Sequence, residues 1–279
     1  MRPLSKVYTA LIFVILYAPI AVMVLFSFNS INSTGVFAGF STYWYRELFR
    51  DGATLAALKN TLVLAVSSSL IATIIGTVAA VGIFKLKNRA ARSAIMTVTN
   101  IPMMNPDIVT GISMMLLFVF VCVRLAGAAS LSFATVLIAH ITFNLPYVIL
   151  SVMPKLRQMD KHLTEAALDL GCTPMQAFFK VELPSIMPGV ISGLIMAFTL
   201  SLDDFVISYF VYGPRFVTLP VEIYNYTKKP LQPKIYALFT LLFAAILIVM
   251  VLMNLLQERD AKRSRENRRA FRRGKKVGA

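Results

Sequence analysis

The stretch Leu163–Pro184, LTEAALDLGCTPMQAFFKVELP, is the least membrane-like internal segment of a very apolar chain. Four of its residues recur at helical spacing and predict a short helix with one small apolar face: Leu163, Ala166, Ala167 and Leu170. Gly171 can adopt the left-handed conformation that ends such a helix. Thr173, Pro174 and Gln176 then supply an N-cap, a first helical residue and the far half of a capping box. The stretch therefore predicts two short helices joined by a tight glycine turn.

The chain on either side of this stretch is typical of membrane-spanning helices. Of its 279 residues, 57% are hydrophobic, and the mean hydropathy is +0.72. Runs of about 20 apolar residues are long enough to cross a bilayer, and six are present: Val7–Phe28, Asn60–Phe84, Ile95–Val123, Leu131–Val152, Ile186–Val211 and Ile235–Leu256. We therefore predict an all-α integral membrane protein. Residues 1–256 form a six-helix transmembrane domain with a connecting loop at about 155–185, and residues 257–279 form a basic, disordered tail.

The distribution of charge predicts how the chain is oriented. The formal net charge is +15, and 20 of the 28 lysine and arginine residues fall on one side if the amino terminus is placed inside. Such a bias marks the cytoplasmic side of a membrane protein. Both termini and Leu163–Pro184 are therefore predicted in the cytoplasm. The basic tail is predicted to lie near anionic lipid rather than to bind nucleic acid.

The residue patterns of several enzyme classes are absent from the sequence. There is no Gly-x4-Gly-Lys-Ser/Thr phosphate loop, so we do not expect this chain to hydrolyse ATP. No Cys or His cluster has zinc spacing, and no combination of nucleophile, base and acid is visible. Cys122 and Cys172 fall in a predicted span and a predicted cytoplasmic loop, which disfavours a disulfide. We expect a protein that is not an enzyme and binds no metal.

The third predicted span contains a polar interruption, Asn105-Pro106-Asp107. Proline breaks a helix, and the freed carbonyl groups need partners in protein or water. Asp107 has two compatible interpretations of equal weight: it restarts the helix as a cap, or it lines a cavity. In the fourth span, His140 is interpreted as a packing residue with satisfied hydrogen bonds.

Asp203 and Asp204 are neighbours inside the fifth predicted span, seven to eight residues before Val211. One aspartate at the centre of a bilayer costs about 2.5–3.5 kcal/mol to insert. On a continuous helix the two carboxylates would be ~100° apart and could not face the same way. We predict that at least one faces a wet path, while the other bonds a neighbouring helix or a partner subunit. The alternative is that both only cap or pair.

The central stretch resembles the EAA loop of ABC-importer permeases. The matching residues are Glu165-Ala166-Ala167, Gly171 and Val181-x-Leu183-Pro184, with valine where isoleucine is usual. The resemblance implies a coupling helix that docks into a cleft on a cytoplasmic ATPase. The residues assigned to this coupling are Glu165, Ala166, Ala167, Asp169, Gly171, Leu183 and Pro184.

Nearly the whole chain resembles the spermidine/putrescine importer permeases of the PotC type. The resemblance rests on four stretches: Ser27–Ser30, Met104–Val109, His140–Phe143 and Phe198–Asp204. It implies a type I importer fold in the bacterial inner membrane, with a second permease, two ATPase subunits and an extracytoplasmic binding protein. It also implies that this chain binds no cofactor, because ATP and Mg are used by the partner ATPase.

A polyamine path is consistent with the residues themselves. Carboxylates and aromatic faces attract ammonium groups, and we assign the path to Asp107, Asp203, Asp204, Tyr209 and Tyr212. One alternative is a permease for another small solute, such as a different amine or an organic phosphonate. A secondary transporter or channel is the other alternative. The predicted coupling loop argues against it, because such a carrier needs no ATPase dock.

Overall fold

The computed structural model describes residues 3–33, 35–125, 127, 131–228, 233–245, 247, 248 and 251. In this part of the chain the helices are α1 (Pro3–Ser27), α2 (Tyr43–Leu48), α3 (Gly52–Lys85), α4 (Arg89–Met104), α5 (Asp107–Phe118), α6 (Phe133–Gln158), α7 (Lys161–Asp169), α8 (Pro174–Ala177), α9 (Leu183–Asp203), α10 (Val206–Val211), α11 (Leu219–Thr227) and α12 (Pro233–Ala245). A π-helical segment, Val119–Leu125, follows α5, and a second, Phe178–Glu182, joins α8 to α9. The predicted tail, 257–279, lies outside the described residues.

Four helices of the described part are long and apolar enough to cross a membrane: Val7–Ser27, Gly52–Lys85, Phe133–Gln158 and Pro174–Asp203. Arg89–Met104 and Asp107–Cys122 meet at a 103° bend and make a fifth span if they are counted together. The bend confirms the predicted break at Asn105-Pro106. The sixth predicted run, Ile235–Leu256, begins within α12 and continues outside the described residues. The predicted six spans are compatible with this architecture.

Residues Gly52–Asn225 form one compact unit, and three packed helices, α3, α6 and α9, make its core. Small residues allow this packing. A Cβ atom added at Gly76 of α3 would lie 2.7 Å from Cγ1 of Val148 in α6. One added at Gly189 of α9 would lie 2.9 Å from the carbonyl oxygen of Ser151. Close approach at small residues is the usual basis of helix association in lipid, and the many small residues of α3 are consistent with it.

The fifth predicted span is not one continuous helix, and this expectation was wrong. Helix α9 ends at Asp203, and the backbone at Asp204 is extended, with φ −63° and ψ 119°. Helix α10 then begins at Val206. The break is stable because the Asp204 carboxylate accepts hydrogen bonds from the backbone N–H groups of Ile207 (3.3 Å) and Ser208 (2.8 Å) at the start of α10. The ~100° separation predicted for two aspartates on one helix does not apply.

The segments Met1–Asp51 and Tyr226–Ala279 belong to a second unit. In its described part, the buried Asn29 organises the loop that follows α1. Its Nδ2 donates to the carbonyl oxygens of Ser33 (2.9 Å) and Val36 (2.7 Å), and its Oδ1 accepts from Ala38 N (3.0 Å). Its carbonyl oxygen accepts from the indole of Trp44 at 2.8 Å. These bonds explain why an asparagine stands in the Ser27–Ser30 stretch.

Candidate functional site

The first candidate site is the coupling loop, which is built around a glycine turn. Gly171 has a φ of +84°. The N–H of Gly171 donates to Leu168 O at 2.9 Å, and the N–H of Cys172 donates to Ala167 O at 3.1 Å. This pair of bonds is a Schellman motif, which ends a helix and favours glycine in the left-handed position. The predicted glycine turn after α7 is confirmed.

Helix α8 begins with the predicted capping box. The N–H of Gln176 donates to the Thr173 hydroxyl at 3.3 Å, and the N–H of Thr173 donates to Oε1 of Gln176 at 3.0 Å. Pro174 occupies the first turn, where its missing N–H has no cost. Two well-capped short helices on either side of a fixed turn give the loop a defined shape.

Large apolar side chains are exposed on the surface of this loop. Five large apolar side chains are exposed on it, and Leu170 is the most exposed at 86%: Leu163, Leu168, Leu170, Met175 and Phe179. Exposed apolar patches typically mark an interaction surface. Among the assigned coupling residues, Ala167 is buried and Leu183 packs against the helical core. The other five are exposed: Glu165, Ala166, Asp169, Gly171 and Pro184.

An ion pair between the buried Glu182 and the exposed Lys85 ties the coupling loop to the core, and it was not predicted from the sequence. Glu182 is only 2% exposed, yet its carboxylate lies 2.9 Å from Nζ of Lys85 at the end of α3. Thr164 of α7 also donates a hydrogen bond to Glu182 at 3.3 Å. Lys85 and Glu182 are both visible in the sequence as charged residues, but nothing in their spacing indicates that their side chains meet.

The second candidate site is the pair of helix breaks inside the spans. The α4–α5 break precedes Asp107, and the α9–α10 break contains Asp204. Helices α5 and α10 pack closely, since a Cβ added at Gly111 would lie 2.8 Å from the ring of Phe210. At ~1.5 Å of rise per residue, each break lies within about two helical turns of this contact. Irregular backbone at membrane depth occurs only against protein or a water-filled cavity.

Asp204 is held by a buried polar cluster between α3, α6, α9 and α10. Nε2 of His140 lies 3.4 Å from Oδ2 of Asp204 and 3.0 Å from the hydroxyl of Ser208. Nδ1 of His140 is hydrogen-bonded to Ser201, whose hydroxyl lies 2.8 Å from that of Ser68. The interpretation of His140 as a satisfied packing residue is confirmed. Asp204 caps α10 and pairs with His140 of α6, as predicted for the aspartate that bonds a neighbouring helix.

Asp203, in contrast, is exposed at the end of α9. A cluster of aromatic rings follows it in the chain. The ring of Phe205 lies 5.4 Å from that of Tyr209 and 4.9 Å from that of Tyr224, and Tyr209 and Tyr224 are 5.3 Å apart. Tyr212 touches the cluster at 6.2 Å from Tyr209. Tyr209 and Tyr212 were predicted from the sequence. Phe205 and Tyr224 were not, and Tyr224 is contributed by α11.

Asp107 is the first residue of α5 and is exposed. The preceding Asn105 donates a hydrogen bond to the Thr110 hydroxyl at 3.2 Å, which bridges the break. Among the described residues, no hydrogen bond or ion pair joins Asp107 to Asp203 or Asp204. In the same part of the chain, no group of three or more His, Cys, Asp and Glu side chains is arranged to hold a metal ion.

Comparison with known proteins agrees with this architecture. Residues 72–265 match the family described as binding-protein-dependent transport system inner membrane component. The chain is 40% identical over 261 residues to the putrescine transport system permease protein PotI of Escherichia coli, covering 93% of each chain. It is 36% identical over 259 residues to the spermidine/putrescine transport system permease protein PotC of Escherichia coli, covering 93% of this chain and 95% of that one.

The fold also matches a solved structure. The crystal structure of a bacterial alginate ABC transporter in complex with alginate pentasaccharide-bound periplasmic protein contains a chain that superposes with a TM-score of 0.70. The sequence identity is 17%, with 89% of this chain and 91% of that chain covered. At this identity the likeness concerns the fold. Given the family match over most of its length, the chain belongs to the family of inner-membrane components of binding-protein-dependent ABC transport systems.

Proposed function

We propose that this chain is the permease subunit through which an ATP-driven importer moves putrescine or spermidine into the cell. The observation that carries the proposal is the broken span with its adjacent aspartates and aromatic cluster. Polyamines are linear cations, and carboxylates and aromatic faces lower the energy of ammonium groups where water is scarce. The names of the two relatives support the same substrate class. We assign the path to Asp107, Asp203, Tyr209 and Tyr212, and Asp204 lies at the helix break beside it.

The complete importer requires partners that this chain does not supply. We assign it a second permease subunit, two ATPase subunits and an extracytoplasmic binding protein. The exposed apolar side chains of the coupling loop support an ATPase dock, because they stand on a well-capped turn linked to the core through Glu182. This chain binds no cofactor, and the ATPase uses ATP and Mg. We assign anionic membrane lipid as a further partner, because residues 257–279 are strongly basic, and we assign no nucleic acid.

Uptake measurements test the substrate class. In cells that depend on this importer, we expect saturable uptake of labelled putrescine or spermidine that stops when ATP is depleted. Unlabelled polyamine should compete, whereas an organic phosphonate should not, because the path offers carboxylates. Competition by the phosphonate alone would assign another solute. Uptake that persists without ATP but follows an ion gradient would assign a secondary transporter.

The proposed orientation has its own test. Both termini should lie in the cytoplasm, because the inner side receives most of the basic residues. A reporter that is active only in the cytoplasm, fused after Ala279, should be active. The matched control places the same reporter in the loop after Asn29, where it should be silent. Activity of a periplasmic reporter after Ala279 would require an odd number of spans.

A further inference from the structure

We infer that the two neighbouring aspartates have different tasks. Asp204 is a positioning residue held inside the protein, whereas Asp203 forms a subsite for an alkylammonium group together with the rings of Phe205, Tyr209 and Tyr224. This inference rests on the proposed function. It adds Phe205 and Tyr224 to the residues that form the substrate site, and it separates the roles of two carboxylates that the sequence left equivalent.

The contacts of Asp204 leave little of its carboxylate for a solute. Its side chain is 9% exposed. One oxygen accepts from Ile207 N, and the other accepts from Ser208 N and lies next to the His140 ring. His140 is itself 1% exposed and is anchored through both ring nitrogens. A carboxylate with these partners fixes the start of α10 and the position of its neighbours in the chain.

Asp203 and Phe205 flank Asp204 in the chain but have different surroundings. Asp203 is the last residue of α9 and is exposed. The ring of Phe205 lies against the rings of Tyr209 and Tyr224. The exposed carboxylate therefore stands two residues before the first ring of this aromatic cluster.

The aromatic rings complete the subsite. Phe205, Tyr209 and Tyr224 are mutually in contact, with ring centroids 4.9–5.4 Å apart. They come from the break, from α10 and from α11, so their grouping is a product of the fold rather than of one helix face. A ring face attracts an alkylammonium group and also packs against its methylene chain. This combination fits a cationic aliphatic amine better than an inorganic ion.

Two measurements on the full permease complex separate the two roles: the melting temperature, and the KM for putrescine or spermidine uptake per assembled complex. Asp203→Asn should leave the melting temperature unchanged and raise KM roughly tenfold to a hundredfold, since a charge-assisted bond is lost. Asp204→Asn and His140→Ala should lower the melting temperature. Asp204→Asn should also raise KM several-fold. In the double variant Asp203→Asn/Asp204→Asn, the second substitution should raise KM no further. It should still lower the melting temperature.

The rings have a matched pair of variants. Tyr224→Phe keeps the aromatic face and should leave KM within about twofold of the wild type, whereas Tyr224→Ala should raise it roughly twofold to thirtyfold. Glu47→Gln, a carboxylate lost outside the spans, is the control and should change neither quantity.

Three outcomes would overturn the inference. In the first, KM is unchanged in Asp203→Asn. In the second, the effects of Asp203→Asn and Asp204→Asn on KM multiply, so that both carboxylates meet the solute. In the third, Tyr224→Ala matches Tyr224→Phe. If the wild-type complex takes up neither polyamine, the proposed function fails and the ammonium subsite fails with it. The melting temperatures then still decide whether Asp204 is the anchor.

Discussion

Replacing Gly171 by valine should abolish most ATP-driven transport while the chain still inserts and assembles. The φ of +84° at Gly171 lies in the left-handed region, which costs a residue with a side chain about 1–2 kcal/mol and a β-branched residue more. A Cβ at this position would meet nothing within 4 Å, so the cost is one of backbone conformation and stays local. The turn between α7 and α8 would open, and the exposed apolar side chains would lose their fixed arrangement.

Asparagine provides the matched control for this variant. Gly171→Asn places a side chain at the same position, but asparagine tolerates the left-handed conformation. We expect Gly171→Asn to retain most transport. In Gly171→Val, the uptake per assembled complex should fall by roughly tenfold or more. Full transport by Gly171→Val would show that this turn does not carry coupling.

Replacing Gly213 by alanine should prevent stable folding of the unit formed by Gly52–Asn225. A Cβ atom at Gly213 would lie 1.7 Å from the carbonyl oxygen of Leu131 and 2.5 Å from its carbonyl carbon. These are backbone atoms, so no rotation of a side chain can relieve the overlap. The start of α6 would have to move away from the end of α10. In the native structure the two are joined by the hydrogen bond that the Thr135 hydroxyl donates to the carbonyl oxygen of Val211, at 3.1 Å. The expected destabilisation is about 3 kcal/mol or more.

Gly82 in α3 is the control for this experiment, because a Cβ there would meet nothing within 4 Å. Alanine is also favoured over glycine inside a helix by about 1 kcal/mol. Gly82→Ala should therefore assemble normally and keep or slightly raise the melting temperature. The amount of purified complex and its melting temperature are the readouts. Normal assembly of Gly213→Ala would contradict the packing described here.

The sequence was sufficient for features that depend on local chemistry. The glycine turn, the capping box of α8 and the break at Asn105-Pro106 each follow from a few neighbouring residues. Their physical causes act within about one helical turn. These causes are the left-handed backbone of the glycine, the N–H groups that the capping box satisfies, and the missing N–H of proline. The membrane spans could likewise be predicted from the apolar runs, because the bilayer thickness sets a minimum length for a spanning helix.

Features that join distant parts of the chain were not predictable. Lys85 meets Glu182, and Tyr224 meets Phe205, only after α3, α9 and α11 have packed. The break at Asp204 was missed for a related reason. Two aspartates in an apolar run suggest a continuous helix that is costly to insert into a bilayer. His140, the partner that stabilises the Asp204 carboxylate, is more than sixty residues away in sequence. Nothing local indicates that the carboxylate will cap a new helix.

The ion pair between Lys85 and Glu182 has a mechanical consequence. It joins the coupling loop to the end of α3, a rod of 34 residues that is about 51 Å long at ~1.5 Å per residue. A tilt of about 5° around the middle of such a rod displaces each end by roughly 2 Å. In the proposed importer, a displacement of the loop would be passed to α3 as well as to α9. In the other half of α3, the hydroxyl of Thr61 accepts a hydrogen bond from the N–H of Leu219 at the start of α11, the helix that carries Tyr224.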